Sequence, residues 1–134
     1  MKKIFLTVLF FAIALISNAQ INKILGQWKS VDDKTGEVTG VVEFYSGENG
    51  LYYGKTVRAF ENGKEIFDPK YIGMIVVKDF KEEDGKLVGG KLYEPHEDKE
   101  YYGKISYNAG DNTLTVRGSL DSRGWLGRSQ TWIK

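Results

Sequence analysis

The chain has 134 residues, no Cys, 28% charged side chains and a formal net charge of +1. That length holds one ordinary domain. The near-neutral balance argues against a strongly basic nucleic-acid binder, and without Cys no disulfide can hold the fold, so a packed core must.

Residues 1–19 stand apart from the rest. Lys2 and Lys3 give a positive start, Ile4 to Ile16 is an almost unbroken apolar run, and Ser17-Asn18-Ala19 places small residues before a cleavage point. This is the pattern of a secretory signal peptide cut before Gln20. The run is about a third short of the roughly 20 residues a spanning helix needs. Removing 19 residues from 134 leaves a mature chain of 115, with no membrane span expected. Removing Lys2 and Lys3 leaves 17 basic residues against 18 acidic ones, a net charge of −1. The expected address is the periplasm or the medium.

After the signal the chain reads as strands and turns. Ile21 to Leu25 is an apolar lead-in with room for one helical turn. Gly26 to Val31 is the first expected strand, and the polar stretch Asp32 to Glu37 turns with Gly36. Gly40 to Tyr45 is the second strand, followed by a turn ending in Asn49-Gly50, a strong hairpin cue. Leu51 to Phe60 is the third, and Glu61 to Glu65 turns again. Ile66 to Tyr71 contains Pro69 and is expected to be a long loop. Met74 to Phe80 is the fourth strand, closed by a charged turn at Asp84-Gly85. Val88 to Tyr93 and Tyr101 to Tyr107 form the fifth and sixth around an acidic turn. Thr113 to Leu120 is the seventh and Trp125 to Ile133 the eighth.

Eight strands with a turn every eight to twelve residues predict an all-β fold. Short hairpin connections predict an eight-stranded antiparallel up-and-down barrel over residues 20–134, and closure removes exposed edges. Glycines inside the strands, among them Gly54, Gly90, Gly103 and Gly118, suit strongly coiled barrel strands.

Gly26-Gln27-Trp28 resembles the Gly-x-Trp of the calycin barrels, the lipocalins and avidins. That resemblance implies an Arg from the last strand lying across Trp28, a part assigned here to Arg128. A longer resemblance runs through Tyr53-Gly54-Lys55, Gly89 to Pro95, Leu114-x-Val116-Arg117-Gly118 and Leu126 to Trp132. These segments resemble the domain of unknown function 2147, a family of exported bacterial proteins. In place of the family's Asp-Pro and Asp-Gly, this chain has Glu94-Pro95 and Glu97-Asp98-Lys99. The resemblance implies a fold and an address but no substrate.

Little in the sequence points to catalysis. His96 is the single histidine, set among Glu94, Glu97, Asp98 and Glu100. In a turn, that pattern reads as a solvated acidic loop rather than a metal site with three or four fixed ligands. No Cys and no Gly-x-Ser-x-Gly elbow supplies an activated nucleophile. No catalytic residue, metal or cofactor is therefore assigned.

The inward faces carry more information. If Trp28, Leu114 and Val116 point inward, alternation brings Tyr52 and Arg58 inside on the third strand. It also brings Tyr101 and Tyr107 inside on the sixth, and Arg128, Gln130 and Trp132 on the eighth. Such polar groups are costly to bury unpartnered. They predict an interior that binds a small polar or anionic molecule, with Arg58, Tyr101, Arg128 and Gln130 converging. The competing expectation is an envelope protein–protein module acting through loops or outer tyrosines (Tyr45, Tyr53, Tyr93, Tyr102). An enzyme of unknown reaction is a third. A deep polar cavity would favour the first, an exposed aromatic patch the second, and a carboxylate–Tyr pair in a cleft the third.

Overall fold

A computed structural model describes residues 20–134. The signal-peptide expectation falls on residues 1–19, outside the described residues. Nine strands come after one helical turn at residues 20–24. They are β1 (Gly26–Val31), β2 (Val38–Ser46), β3 (Tyr52–Glu61), β4 (Lys64–Ile66), β5 (Ile75–Glu83), β6 (Lys86–Glu94), β7 (Lys99–Asn108), β8 (Thr113–Ser119) and β9 (Gly127–Ile133). Every pairing is antiparallel. The order β2-β1-β9-β8-β7-β6-β5-β3, with β2 also paired to β3, closes an eight-stranded barrel.

β4 is an addition that the sequence reading places in turn and loop. Asn62 and Gly63 both adopt positive φ, 51° and 77°, the conformation a tight two-residue hairpin requires. That turn folds Lys64–Ile66 back onto Ala59–Glu61 of β3. The Asn-Gly signal is there in the chain, but Pro69 just beyond it argues for loop over the whole stretch.

The barrel has two unlike ends. We call the end carrying the helical turn the floor and the other the mouth. At the floor, Ile21 and Ile24 of the helical turn are buried against Trp28. The Trp28 indole N–H donates to the Ile24 carbonyl at 2.7 Å, so this turn is tied to the core. Trp28 meets Tyr107 edge-on at 6.3 Å, and Phe44 meets Trp132 at 6.1 Å. Phe80, Leu87, Ile105, Leu114 and Val77 complete the layer and are fully shielded from water. Phe80 fits because Gly90 and Gly103 leave its ring room. A Cβ on Gly90 would stand 2.3 Å from that ring.

Two details of register depart from strict alternation. Gly89 has φ 76° and makes a bulge, so Leu87 and Gly90 share the inner face and Val88 does not. A second irregularity lies between β2 and β3. Val42 pairs with Thr56 but Val41 pairs with Arg58, leaving Val57 as the extra residue. One added residue reverses the facing of the strand beyond it. Thr56 points inward and Arg58 outward.

The floor also corrects the role given to Arg128. The pair Lys29↔Ile133 sets Lys134 beside Trp28, and the Lys134 ammonium lies 4.4 Å from the Trp28 ring centroid. Arg128 pairs with Gly118 near the far end of β9, at the mouth. A cation does cover the ring, but it comes from the last residue of the chain.

Candidate functional site

The inner wall changes character on the way up. Floor residues such as Trp28, Phe80, Leu87 and Leu114 have no measurable exposure. Above them, Thr56, Leu92, Tyr101 and Gln130 face inward yet are only half-buried, and Arg128 is exposed. Inward side chains that water still reaches define an open cup. Its wall is positioned by pairing. Leu92 of β6 opposes Tyr101 of β7, Gly103 opposes Gly118 of β8, and Gly118 opposes Arg128 of β9. Gly118 contributes no side chain, so the space over it is bordered by Tyr101 and Leu92, 3.4 Å and 3.6 Å from where a Cβ would stand.

Polar contacts gather at the rim. The Arg128 guanidinium donates to the Asp33 carboxylate at 3.2 Å, and the Arg128 side chain is 60% exposed. Tyr101 Oη donates to Glu97 at 2.7 Å. That bond, partial burial and the charges of Glu97 and Glu94 push the Tyr101 phenol above its ordinary value, while Arg128 pulls it down. A phenol held protonated suits hydrogen-bond donation rather than base chemistry. Gln130 accepts from the Trp132 indole N–H at 2.9 Å. Its amide oxygen is thereby committed, and its N–H₂ has no hydrogen-bond partner among the described residues.

Of the eight residues expected to line the interior, three reach this cup: Tyr101, Arg128 and Gln130. Trp28, Tyr107 and Trp132 face inward but fill the floor, and Tyr52 packs beside Phe80 at the same end. Arg58 is outside. Its guanidinium grips Glu65 through two hydrogen bonds of 3.0 Å and 2.7 Å. That pairing raises the Arg58 pKa and lowers that of Glu65, each chiefly through the shared hydrogen bonds.

The sequence reading missed Asp33 and Glu97 as mouth residues. Glu97 sits four residues before Tyr101 in a tight turn, a spacing that gives some warning. Asp33 lies 95 residues from Arg128, and only the closed barrel joins them. His96 lies tilted against Tyr71, centroids 5.6 Å apart. Among the described residues, no group of three His, Cys, Asp or Glu side chains converges on a metal position. No helix among them is long and apolar enough to cross a membrane.

The antiparallel barrel with one blocked end and one open cup defines the lipocalin-like class of fold. Residues 26–134 match the family described as uncharacterised proteins conserved in bacteria, domain of unknown function 2147, and the chain belongs to that family. Among solved structures it is similar to protein HP1028 from the human pathogen Helicobacter pylori, described as belonging to the lipocalin family. The TM-score is 0.64 with 22% identity, covering 82% of this chain and 81% of that one. At that identity the likeness shows the fold. No curated protein matches the chain.

Proposed function

We propose that the protein is an exported binder that holds a small polar or anionic molecule in the mouth cup. The observation that carries this reading is the contrast in exposure along one inner wall: sealed at the floor, open from Leu92 and Tyr101 upward. Leu92 and the Tyr101 ring offer an apolar side, and Arg128, Gln130 and Thr56 offer polar groups. Arg128 spends its charge on one exposed partner, Asp33, and exposed pairs of this kind are weak, about 0–1 kcal/mol. A ligand carboxylate or phosphate can take the place of Asp33. Glu94 and Glu97 nearby favour a ligand with a single anionic group over a polyanion.

Neither a cofactor nor nucleic acid enters this reading, and it is a binder rather than an enzyme. The decisive experiment is a thermal-shift screen of small anionic metabolites. A ligand at 100 times its Kd adds about 2.7 kcal/mol to stability. Hits should shift the wild type and leave Arg128→Gln unmoved. If none shifts the wild type, or hits shift both equally, the cup is not the binding site. Export rests on the pattern in residues 1–19, and intact-mass analysis of the envelope fraction should find a chain beginning at Gln20.

A second reading has its own support. Trp125 and Leu126 are 77% and 67% exposed in the β8–β9 loop at the mouth. That loop is braced. The Asp121 carboxylate accepts from the Leu126 N–H at 2.8 Å, and the Arg117 guanidinium donates to the Gly124 carbonyl. A fixed apolar pair beside the cup suits an envelope protein partner. If Trp125→Ser with Leu126→Ser abolishes function in cells while ligand shifts survive, the partner reading gains and the two roles separate.

A further inference from the structure

The outer wall holds a second concavity, built where the β2–β3 bulge turned Arg58 out of the barrel. Register sets Lys29 of β1, Val41 of β2 and Arg58 of β3 in one row across three strands. Adjacent strands lie about 4.8 Å apart, so Lys29 and Arg58 leave the wall about 10 Å from each other, with Val41 between them. Val41 alternates with the core residue Val42 and so faces outward, yet it is only 6% exposed. With Val38 and Phe60 it forms the apolar base of a half-open pocket of about 480 Å³ whose cations are Lys29 and Arg58. Gly63, at the tip of the β3–β4 hairpin, and Glu37, before β2, border it.

The chemistry of this pocket is specific. Glu65 takes Nε and Nη2 of Arg58, and the Phe60 ring lies 5.2 Å from the guanidinium carbon. These contacts fix the guanidinium plane and leave Nη1 without a partner among the described residues. Lys29 forms no ion pair among the described residues. One immobilised and one free cation thus stand on either side of an apolar strip. Glu37 and Glu65 balance their charge, so a bare anion gains little there and an apolar body must add to it.

We propose that this wall pocket binds a small amphipathic monocarboxylate. Its carboxylate sits between Lys29 Nζ and Arg58 Nη1, and its branched or aromatic body covers Val38, Val41 and Phe60. The site is separate from the mouth cup and stands or falls independently of it.

The test is a nitrogen-15 amide titration of the purified protein with 3-phenylpropionate, set against 3-phenylpropan-1-ol and acetate. Phenylpropionate should move the amides of Val41, Arg58 and Phe60, while the alcohol and acetate bind at least about tenfold more weakly. Lys29→Gln and Arg58→Gln should each weaken phenylpropionate by about tenfold, the effect of one lost charge-assisted hydrogen bond. Arg128→Gln should leave the response of those three amides to phenylpropionate unchanged. Both altered side chains lie on the surface, and if Arg58→Gln melts early, Lys29→Gln carries the comparison alone. The proposal is overturned if those amides do not move, if the alcohol moves them equally well, or if Arg128→Gln is the variant that suppresses their movement.

Discussion

Floor and mouth are made from the same strands with the same alternation, yet they do opposite things with it. At the floor, β1, β7, β8 and β9 turn Trp28, Tyr107, Leu114 and Trp132 inward, and a helical turn seals them. At the mouth, β7, β8 and β9 turn Tyr101, Gly118 and Arg128 inward, and water reaches them. The period-two pattern decides which way a side chain faces. What it meets there depends on how many large apolar groups share its layer. Stability is concentrated at one end, and the chemistry that can meet a ligand lies at the other.

Breaking the floor should have the largest effect. Trp28→Ala removes a fully buried ring and its bond to Ile24, and should cost roughly 3–5 kcal/mol. That is a large part of the stability of a domain this size. A melting temperature within a couple of degrees of wild type would refute the floor as described. Two glycines of one row, Gly90 against the floor ring Phe80 and Gly118 toward the mouth, sharpen the comparison. Gly90→Ala pushes a methyl group to 2.3 Å from Phe80 and should cost about 1–3 kcal/mol. Gly118→Ala meets nothing closer than 3.4 Å and should stay within about 0.5 kcal/mol of wild type. Equal costs at the two positions would mean that the mouth is as tightly filled as the floor.

Much of this division is legible in the sequence. Eight strands, their antiparallel order and the inward facing of Trp28, Tyr101, Tyr107, Arg128, Gln130 and Trp132 come from alternation and turn residues. Alternation fails where a strand gains a residue, and a bulge has no strong signature of its own. Val57 carries no warning, so alternation puts Arg58 on the wrong face. The bulge at Gly89 is easier to suspect, because Gly89 precedes Gly90 inside a strand. Long-range partners are the least legible. Asp33 meets Arg128, and Lys134 meets Trp28, only because β1 and β9 close the ring.

Arg128→Gln should separate binding from folding. Its ion pair with Asp33 is exposed, so the change should cost at most about 1 kcal/mol of stability. The same change should abolish the thermal shift given by ligands held in the mouth cup. A loss of several kcal/mol would instead make Arg128 a structural closure of the mouth.

The smallest effect concerns pH and reads the mouth alone. Tyr101 is held above its ordinary value of 10.0, first by its hydrogen bond to Glu97. A raised folded value means that the contribution of this contact is complete below the unfolded value, and it is lost as pH rises through the folded one. Phenolate absorbance across an alkaline titration should therefore show a late-ionising component. Tyr93, donating to Asp98 at 2.6 Å, is raised in the same direction and belongs to that component too. Tyr101→Phe should remove part of the late component, and Glu97→Gln should move that part earlier while leaving the Tyr93 share in place. The floor core should be indifferent, with near-ultraviolet signals of Trp28 and Trp132 unchanged in both variants. If neither variant alters the late component, the Tyr101–Glu97 bond does not form in solution, and the rim of the cup is looser than its geometry implies.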